Sequence, residues 1–274
     1  MNFSKMHSLS NDFVIINNIN STINITSKIV RRLSNRRTGI GFDQFLIIEK
    51  PIDLYCDFYY RIFNADGYEV NQCGNGARCF AYFIFLKKLT NKKNIHIATK
   101  QKYMTISNIN TNKILVNIGI PVFIPKEIPC LVSGYRKIYS IIINDRRIQF
   151  SIVSVGNPHC IIQVENINNI PINTLGPIIE RHALFPEKTN VGFMEIVTKN
   201  KINLRVYERG VGETKACGSG ACAAVAVGIN LKLLNKDVQV DLLGGSLKIS
   251  WAGNKSSMYM EGPATYVYDG FIYI

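Results

Sequence analysis

Two stretches of the sequence, one in each half of the chain, align with each other without a gap. They are RIFNADGYEVNQCGNGA at 61–77 and RVYERGVGETKACGSGA at 205–221. The matched residues include Arg61 with Arg205, Glu69 with Glu213, Cys73 with Cys217, and Gly74, Gly76 and Ala77 with Gly218, Gly220 and Ala221. Two flanking pairs keep the same order at a nearly equal offset: Asn11 with Asn157 and Gln44 with Asn190. The pattern indicates an internal duplication.

Each copy of the block predicts a strand, a loop, a Cys-Gly-x-Gly-Ala turn and a helix. We therefore expect two similar α/β domains that face each other, each contributing a strand, a turn and a helix to a shared cleft. A loop-rich stretch with Gly119-Ile-Pro121 and Pro125 to Pro129 is a reasonable boundary between the halves.

Alternating apolar runs predict a chain made mainly of strands, with four helices. The predicted strands are 13–16, 45–48, 58–63, 113–118, 139–143, 149–155, 160–164, 193–197, 202–207, 238–242, 247–251 and 257–260. The predicted helices run from Thr26 to about Arg37, from Asn75 to Leu86, from Thr174 to about Ala183, and from Ser219 to Leu234.

The composition excludes several classes of protein. Of 274 residues, 47% are hydrophobic and 19% are charged, which excludes a disordered, collagen-like or disulfide-dense secreted chain. Apolar runs such as 80–86 are too short to cross a bilayer, and the N-terminus has no signal-peptide layout. We therefore expect a soluble cytoplasmic protein with no membrane partner.

The formal net charge of +13 raises the alternative of a nucleic-acid-binding module. That alternative predicts Lys, Arg and exposed aromatic residues clustered on one face. The basic residues are instead spread along the chain in ones and twos, in a sequence rich in Ile, Asn and Lys. We therefore expect no nucleic-acid partner.

Seven cysteines are present, and in an intracellular chain an odd number favours reduced thiols. None has the C-x-x-C spacing of a zinc site or a redox dithiol. Cys73 and Cys217 differ from the rest because each directly precedes the glycine-rich start of a predicted helix. The unpaired N–H groups there would bind a carboxylate and would lower the pKa of the thiol.

Two cysteines in matching settings suggest an enzyme that inverts a stereocentre by two-base chemistry. One thiolate would remove a proton from one face of a carbon, and the opposing thiol would deliver a proton to the other face. Two alternatives remain open. The turns could be duplicated helix starts with buried cysteines, or Cys73 and Cys217 could form a disulfide in a redox protein.

Several long motifs resemble those of the diaminopimelate epimerase family, which interconverts LL- and meso-diaminopimelate in lysine and peptidoglycan biosynthesis. The matching segments are KMHSLSNDF, GIGFDQ, RIFNADGYEVNQCGNGARCFA, SVGNPHC, TNVGFMEI and RVYERGVGETKACGSGACAAV. The similarity covers nearly the whole chain, to GPATYVYDGFIYI at the C-terminus. The resemblance implies an isomerase without pyridoxal phosphate, metal or other cofactor.

The resemblance also implies a role for particular residues. Cys73 and Cys217 would be the catalytic acid and base. The substrate-binding residues would be Asn11, Gln44, Asn64, Gly74, Asn75, Asn157, Asn190, Glu208, Arg209, Gly218 and Ser219. His159 and Glu208 would tune the pKa of the cysteines. Asn64, Asn190, Glu208 and Arg209 would bind the distal amino-acid head of the substrate, where Arg209 suits a carboxylate.

The family fold is a pair of pseudo-symmetric α/β (α+β) domains, each a barrel-like, mostly antiparallel sheet around a central helix. By resemblance, 1–118 with 263–274 would form the N-terminal domain carrying Cys73, and 119–262 the C-terminal domain carrying Cys217. Tyr268 matches a tyrosine associated with dimerisation, so a homodimer is expected.

The sequence departs from the family where glycine is expected, at Ser8 and Ser10, which puts the flexibility of the loop carrying Asn11 in question. The nearest rival functions are proline racemase and hydroxyproline epimerase, whose ring substrates have no second amino-acid head. Asn64, Asn190 and Arg209 together favour the longer substrate.

Overall fold

The structure is a computed structural model that describes residues 1–20, 23–70, 74–100, 103–107 and 113–274. Within them the α-helices are α1 (Ser27–Ser34), α2 (Gly74–Leu86), α3 (Ile172–Glu180) and α4 (Gly218–Asn230). The strands are β1 (Asn2–Ser8), β2 (Asn11–Asn17), β3 (Gln44–Glu49), β4 (Phe58–Asn64), β5 (Glu69–Val70), β6 (Ile95–Ala98), β7 (Tyr103–Ser107), β8 (Ile114–Gly119), β9 (Tyr139–Ile143), β10 (Arg146–Ser154), β11 (Pro158–Val164), β12 (Asn190–Thr198), β13 (Lys201–Glu208), β14 (Gly212–Thr214), β15 (Asp237–Leu242), β16 (Gly245–Ser250), β17 (Met258–Gly262) and β18 (Thr265–Phe271).

The chain forms two compact units. Unit 1 contains Met1–Asn117 and Glu261–Ile274, and unit 2 contains Ile118–Met260. Because compactness alone does not establish that each part folds independently, the domain division stated from the sequence stays a prediction.

The two units have the same order of strand pairing. In unit 1, β1 pairs antiparallel with β2, β2 parallel with β3, β3 antiparallel with β4, and β4 parallel with β6. In unit 2, β10 pairs antiparallel with β11, β11 parallel with β12, β12 antiparallel with β13, and β13 parallel with β15. The short strands β5 and β14 occupy matching places against β4 and β13. The duplication read from the sequence is thus present in the topology.

Each unit has one helix that is apolar and buried on all sides. Positions 75–84 of α2 and 220–228 of α4 are buried without interruption. α2 packs on β1, β2 and β3, and α4 packs on β10, β11 and β12. A helix without a solvent-facing side belongs inside its unit. This confirms the predicted fold class, mixed α/β with a central helix in each half.

A separate apolar core lies in each unit beside an amphipathic helix. In unit 1, Val30 and Leu33 of α1 join Phe42, Phe45 and Phe63 in one buried cluster. In unit 2 the corresponding cluster contains residues of α3 and of the strands β9 to β12: Ile172, Ile179, Ile141, Phe150, Ile162 and Phe193.

Several predicted helix boundaries are wrong. α1 begins as predicted, with Thr26 as its N-cap, but ends at Ser34 because the Asn35 side chain accepts hydrogen bonds from the next turn. α3 begins at Ile172, before the predicted Thr174. α4 ends at Asn230 because the amides of Leu233 and Leu234 bond back to the Gly228 carbonyl.

No helix among the described residues has the length and apolarity needed to cross a membrane.

Candidate active site

Cys217 caps the N-terminus of α4 in unit 2. Its backbone is extended (φ −121°, ψ 107°), and its Sγ accepts a hydrogen bond from the Gly220 amide at 3.4 Å. The Ser219 hydroxyl lies 3.5 Å from the same sulfur. The Cys217 residue is only 4% exposed. The sulfur therefore lies among the unpaired amides of a helix start, as the glycine-rich turn predicts.

Gly220 is required for this arrangement. A Cβ at position 220 would lie 2.9 Å from Cγ2 of Val206 and 3.3 Å from the Cys217 sulfur. Any side chain would therefore push the helix away from β13 or displace the sulfur. The last glycine of the turn lets the helix amide approach the thiol closely.

Ser219 is held by two side chains from the start of β11. The Asn157 amide donates to Ser219 Oγ at 3.3 Å. His159 Nε2 lies 3.1 Å from both Ser219 Oγ and Asn157 Oδ1. Since Oδ1 only accepts, the Nε2 atom carries the proton in this network. The serine hydroxyl is then left to donate to the Cys217 sulfur.

His159 is fully buried, and burial lowers its pKa to about 3, with a further contribution from the positive charge of Arg209. The imidazole is therefore neutral at ordinary pH. Its Nδ1 atom is buried without a hydrogen-bond partner within the described part of the chain. A neutral imidazole can order the polar network around Cys217 without adding a positive charge that would ionise the thiol.

Glu208 lies near the same sulfur at the end of β13. Its carboxylate accepts a hydrogen bond from the Thr214 hydroxyl and is close enough to Cys217 for each group to shift the pKa of the other. Burial raises the pKa of Glu208, and burial together with the negative charge of Glu208 raises the pKa of Cys217 well above its ordinary value.

The lowered pKa predicted for Cys217 from its place at the helix start is therefore wrong. The Ser219 hydroxyl and the Gly220 amide do favour the thiolate, but loss of solvent is the larger effect and the Glu208 carboxylate adds to it. The raised pKa favours the protonated thiol form of Cys217.

The residues of unit 2 that are predicted to bind the distal head lie at adjacent strand ends. Asn190 opens β12 beside His159, and its side chain donates to the Pro158 carbonyl at 2.9 Å and accepts from the Arg209 amide at 3.1 Å. The Arg209 guanidinium donates to the Glu187 carbonyl at 3.1 Å. Although they are adjacent in sequence, Glu208 and Arg209 do not form an ion pair with each other.

Three predicted residues of unit 1 also lie at one end of neighbouring strands. Asn11 opens β2, Gln44 opens β3 and Asn64 ends β4. Gln44 and Asn64 are paired across the strands, and Nε2 of Gln44 donates to Oδ1 of Asn64 at 2.8 Å. Gln44 Oε1 is buried and has no hydrogen-bond partner in the described ranges, so this acceptor could receive an ammonium group.

The loop before Asn11 is a tight turn. Ser8 pairs with Asn11, and the two residues between them, Leu9 and Ser10, have φ of 53° and 66°. This type I′ geometry explains the preference for glycine at position 10. Ser8 is outside the left-handed region, so a side chain is accommodated there without backbone strain.

At the start of α2 the structure describes Gly74 and the buried Asn75. Cys73, predicted as the second catalytic cysteine, lies outside the described residues, and its role stays a prediction. The described cysteines form no disulfide bond with one another. The described ranges contain no cluster of three or more His, Cys, Asp or Glu side chains that could hold a metal ion.

Tyr268 lies on β18 of unit 1, opposite Lys5 of β1, and is 43% exposed. Its ring packs edge-on against Phe3 at 6.0 Å. It lines a cavity of about 370 Å³ together with Lys5, Met6, His7, Ser10, Asp12 and Val267.

Comparison with known proteins identifies the family. The family model described as diaminopimelate epimerase matches residues 3–124 and 151–267. The diaminopimelate epimerase of Blochmanniella pennsylvanica (strain BPEN) is 53% identical to this chain over 272 residues, which is 99% of each protein. The chain belongs to the diaminopimelate epimerase family. The diaminopimelate epimerase of Buchnera aphidicola subsp. Acyrthosiphon pisum (strain 5A) is 56% identical over the whole of this chain and 96% of the relative.

A solved structure supports the fold of this family member. The hydroxyproline epimerase of Agrobacterium vitis superposes with a TM-score of 0.69 over 98% of this chain and 91% of that chain. At 12% identity the likeness shows a shared fold. The resemblance read from the motifs is therefore confirmed for both family and fold.

Sequence analysis of this diaminopimelate epimerase family member did not single out three residues that lie in or beside the candidate site. The buried Glu180 carboxylate accepts from the Gly210 amide at 2.7 Å, which holds the turn after Arg209. Thr214 bonds Glu208. Arg78 is fully buried at the start of α2. An arginine in an otherwise apolar helix was the one signal visible in the sequence.

Proposed function

We propose that this protein interconverts LL- and meso-2,6-diaminopimelate in lysine and peptidoglycan biosynthesis, with Cys73 and Cys217 as its acid and base. One cysteine, as a thiolate, removes the α-hydrogen and becomes a thiol. The other delivers its proton to the opposite face of the α-carbon and becomes a thiolate. No cofactor takes part in this proposal, and the reverse reaction exchanges the two roles.

The observation that carries the proposal is the setting of Cys217. A buried thiol at a helix N-terminus lies within hydrogen-bond distance of a serine that is itself held by an amide and a neutral imidazole. A cysteine at a merely structural helix start needs no such network. The raised pKa of Cys217 supports a role as proton donor in the resting enzyme.

The carbon acid is weak, so the developing negative charge needs hydrogen-bond donors. We assign Gly74, Asn75, Gly218 and Ser219, at the starts of α2 and α4, to the carboxylate at the reacting end. Asn11 and Asn157 support this end, and Gln44 Oε1 suits an ammonium group. Asn64, Asn190, Glu208 and Arg209 bind the distal amino-acid head.

Substrate choice tests the proposal directly. The purified protein should convert LL-diaminopimelate to the meso isomer, and the reverse, while proline and trans-4-hydroxyproline stay unchanged. Racemisation of proline with no turnover of diaminopimelate would instead favour the ring-substrate function seen in the rival enzymes.

The distal head is tested by replacing Arg209. Arg209→Ala removes a guanidinium suited to a carboxylate, and we expect kcat/KM for diaminopimelate to fall by about 100-fold or more. Arg146→Ala, at an exposed arginine of the same unit, serves as the control and should leave kcat/KM unchanged. Equal losses in the two variants would mean that the distal-head assignment is wrong.

We also propose a cytoplasmic homodimer that uses the β18 face. Exposed apolar residues cluster on and after this strand: Tyr266, Val267, Tyr268, Phe271, Tyr273 and Ile274. A patch of this kind favours burial against another surface. Tyr268→Ala should shift the sedimentation coefficient toward that of a monomer, whereas a monomeric wild-type protein would refute the assignment.

A further inference from the structure

Arg78 is the largest fully buried side chain of the described protein, with zero exposure. It lies on α2 of unit 1, in a helix that is otherwise apolar. Burying a guanidinium is unfavourable unless its donors are satisfied, and its charge persists at any ordinary pH. A positive charge kept inside a helix next to the proposed carboxylate site calls for an explanation beyond packing.

The guanidinium joins three segments of unit 1. Nη2 donates to Ser8 Oγ at 2.6 Å and to Asn75 Oδ1 at 2.8 Å. Nε donates to the Pro263 carbonyl at 3.2 Å, and Nη1 to the Gly74 carbonyl at 3.4 Å. The end of β1, the start of α2 and the link between β17 and β18 are therefore held together by one side chain.

The bond to Asn75 fixes the orientation of its amide. A guanidinium can only donate, so the atom of Asn75 that faces it must be Oδ1. The Nδ2 donor is then directed away from Arg78, and a flip of the amide would place two donors against each other. Arg78 therefore determines which end of the Asn75 side chain is presented to a ligand.

In the second half of the chain, different side chains orient the corresponding residue of the central helix. Asn75 corresponds to Ser219 in the internal repeat, and Arg78 corresponds to Cys222. Ser219 is held by Asn157 and by the buried His159. In both halves the second residue of the central helix is thus oriented by a buried side chain, but only the first half uses a cation.

Ser8 adds to this arrangement. It occupies a position where the family motif has glycine, and its hydroxyl donates to the Pro263 carbonyl at 2.8 Å while accepting from Arg78. Glycine could make neither bond. The Ser8 hydroxyl is thus a further hydrogen-bond acceptor for Arg78, and its own bond to Pro263 fixes it to the segment before β18.

We propose that Arg78 is a positioning residue that orients the Asn75 amide and the N-terminus of α2 toward an anionic group of the substrate, with Ser8 as its anchor. The inference rests on the proposed function, because it assigns the carboxylate of diaminopimelate to this helix start. Arg78 acts through Asn75 and contacts no reacting atom.

The test uses Arg78→Lys, Ser8→Gly and Arg78→Met, with Cys222→Ala as the matched control at the equivalent helix position. Arg78→Lys keeps the positive charge but loses the planar guanidinium and its several hydrogen-bond donors. In this variant KM for LL-diaminopimelate should rise about 10-fold at nearly constant kcat. Ser8→Gly should raise KM by a smaller factor, and Cys222→Ala should leave KM unchanged. Should Arg78→Met fail to fold by circular dichroism, the first two variants carry the test.

A double-mutant cycle separates positioning from general support of the fold. If Arg78 acts through Asn75, adding Arg78→Lys to Asn75→Ala should change kcat/KM by less than about 2-fold. The inference is overturned if the losses of kcat/KM in the two single variants multiply in the double variant. It is also overturned if KM is unchanged in folded Arg78→Lys and Ser8→Gly. In either case an active wild-type enzyme leaves the proposed function standing. A wild type that does not epimerise diaminopimelate refutes the proposed function, and the inference falls with it.

Discussion

At the scale of single residues, Cys217 is subject to opposing influences. The Ser219 hydroxyl and the Gly220 amide stabilise a thiolate, whereas burial and the Glu208 carboxylate stabilise the thiol. The second pair is stronger, so the resting sulfur carries its proton and is a poor nucleophile. In the proposed reaction, the helix start lowers the energy of the thiolate that Cys217 becomes.

Replacing Glu208 with glutamine should make the Cys217 thiol more acidic, because the negative charge beside it is removed while its burial is kept. We expect alkylation of Cys217 by iodoacetamide to begin at lower pH in Glu208→Gln than in the wild type. Mass spectrometry of the peptide that contains Cys217 measures the alkylation. Glu165→Gln, at an exposed carboxylate, provides the control. An unchanged or higher onset pH in Glu208→Gln would contradict the electrostatic account.

His159 should make the folded protein sensitive to acid. Its pKa of about 3 lies below the ordinary value of 6.5, so the unfolded chain binds the proton more readily. The stability from this group is complete above about pH 6.5 and is lost as the pH falls toward 3, with a slope of at most about 1.4 kcal/mol per pH unit. In His159→Gln, the free energy of unfolding in urea should depend less on pH across this range than it does in the control His96→Gln, at an exposed histidine. Equal slopes in the two variants would show that His159 is not buried as a neutral ring.

The two serines that replace expected glycines should respond in opposite directions to restoration of glycine. Ser10→Gly relieves a left-handed conformation and should stabilise the protein by up to about 1 kcal/mol. Ser8→Gly removes two hydrogen bonds and should destabilise it by about 1–3 kcal/mol. Urea unfolding of both variants measures the difference, and a shared sign would refute the described turn.

At the scale of elements, one ion pair recurs in both copies of the repeat. Arg61 forms two parallel hydrogen bonds with Glu69 at 2.9 and 3.1 Å, and Arg205 forms the same pair with Glu213 at 2.7 and 3.0 Å. Each joins a long strand to the short strand that leads into the Cys-Gly turn. The fork geometry and partial burial make these pairs stronger than ordinary surface ion pairs.

Glu69→Gln and Glu213→Gln should therefore destabilise the protein by similar amounts, about 1–3 kcal/mol each. The control is Lys201→Met, which breaks the more exposed pair with Asp241 and should cost less than about 1 kcal/mol. Thermal or urea unfolding gives the comparison. If only one of the two glutamate variants lost stability, the two ion pairs would not have equivalent structural roles.

Elements with strong local patterns were predictable from the sequence. Strand β9 matches its predicted bounds, and α2 begins one residue before the predicted start. β1 was missed because its polar and apolar residues give little alternation, and it is stabilised by pairing with β18 from the other end of the chain. Helix ends were missed where side chains cap the turn, as at Asn35.

At the scale of the whole molecule, the duplication was the most informative feature, because it predicted the repeated topology of both units. Polar residues gather at strand ends in both units, as Gln44 with Asn64 and His159 beside Asn190 show. The contacts of Glu180 and Arg78 could not be predicted, since their partners are far away in sequence. The pKa of Cys217 could not be predicted for the same reason, since its burial is a tertiary property.

Hydrogen exchange at the α-carbon tests the central claim, two-base epimerisation by Cys73 and Cys217, most directly. In the first turnover, wild-type enzyme with LL-diaminopimelate in heavy water should give meso product with deuterium at one α-carbon only. Folded Cys73→Ala and Cys217→Ala should each produce no labelled meso isomer. Substantial epimerisation by either variant, or deuterium at both α-carbons of meso product formed in the first turnover, would contradict the account.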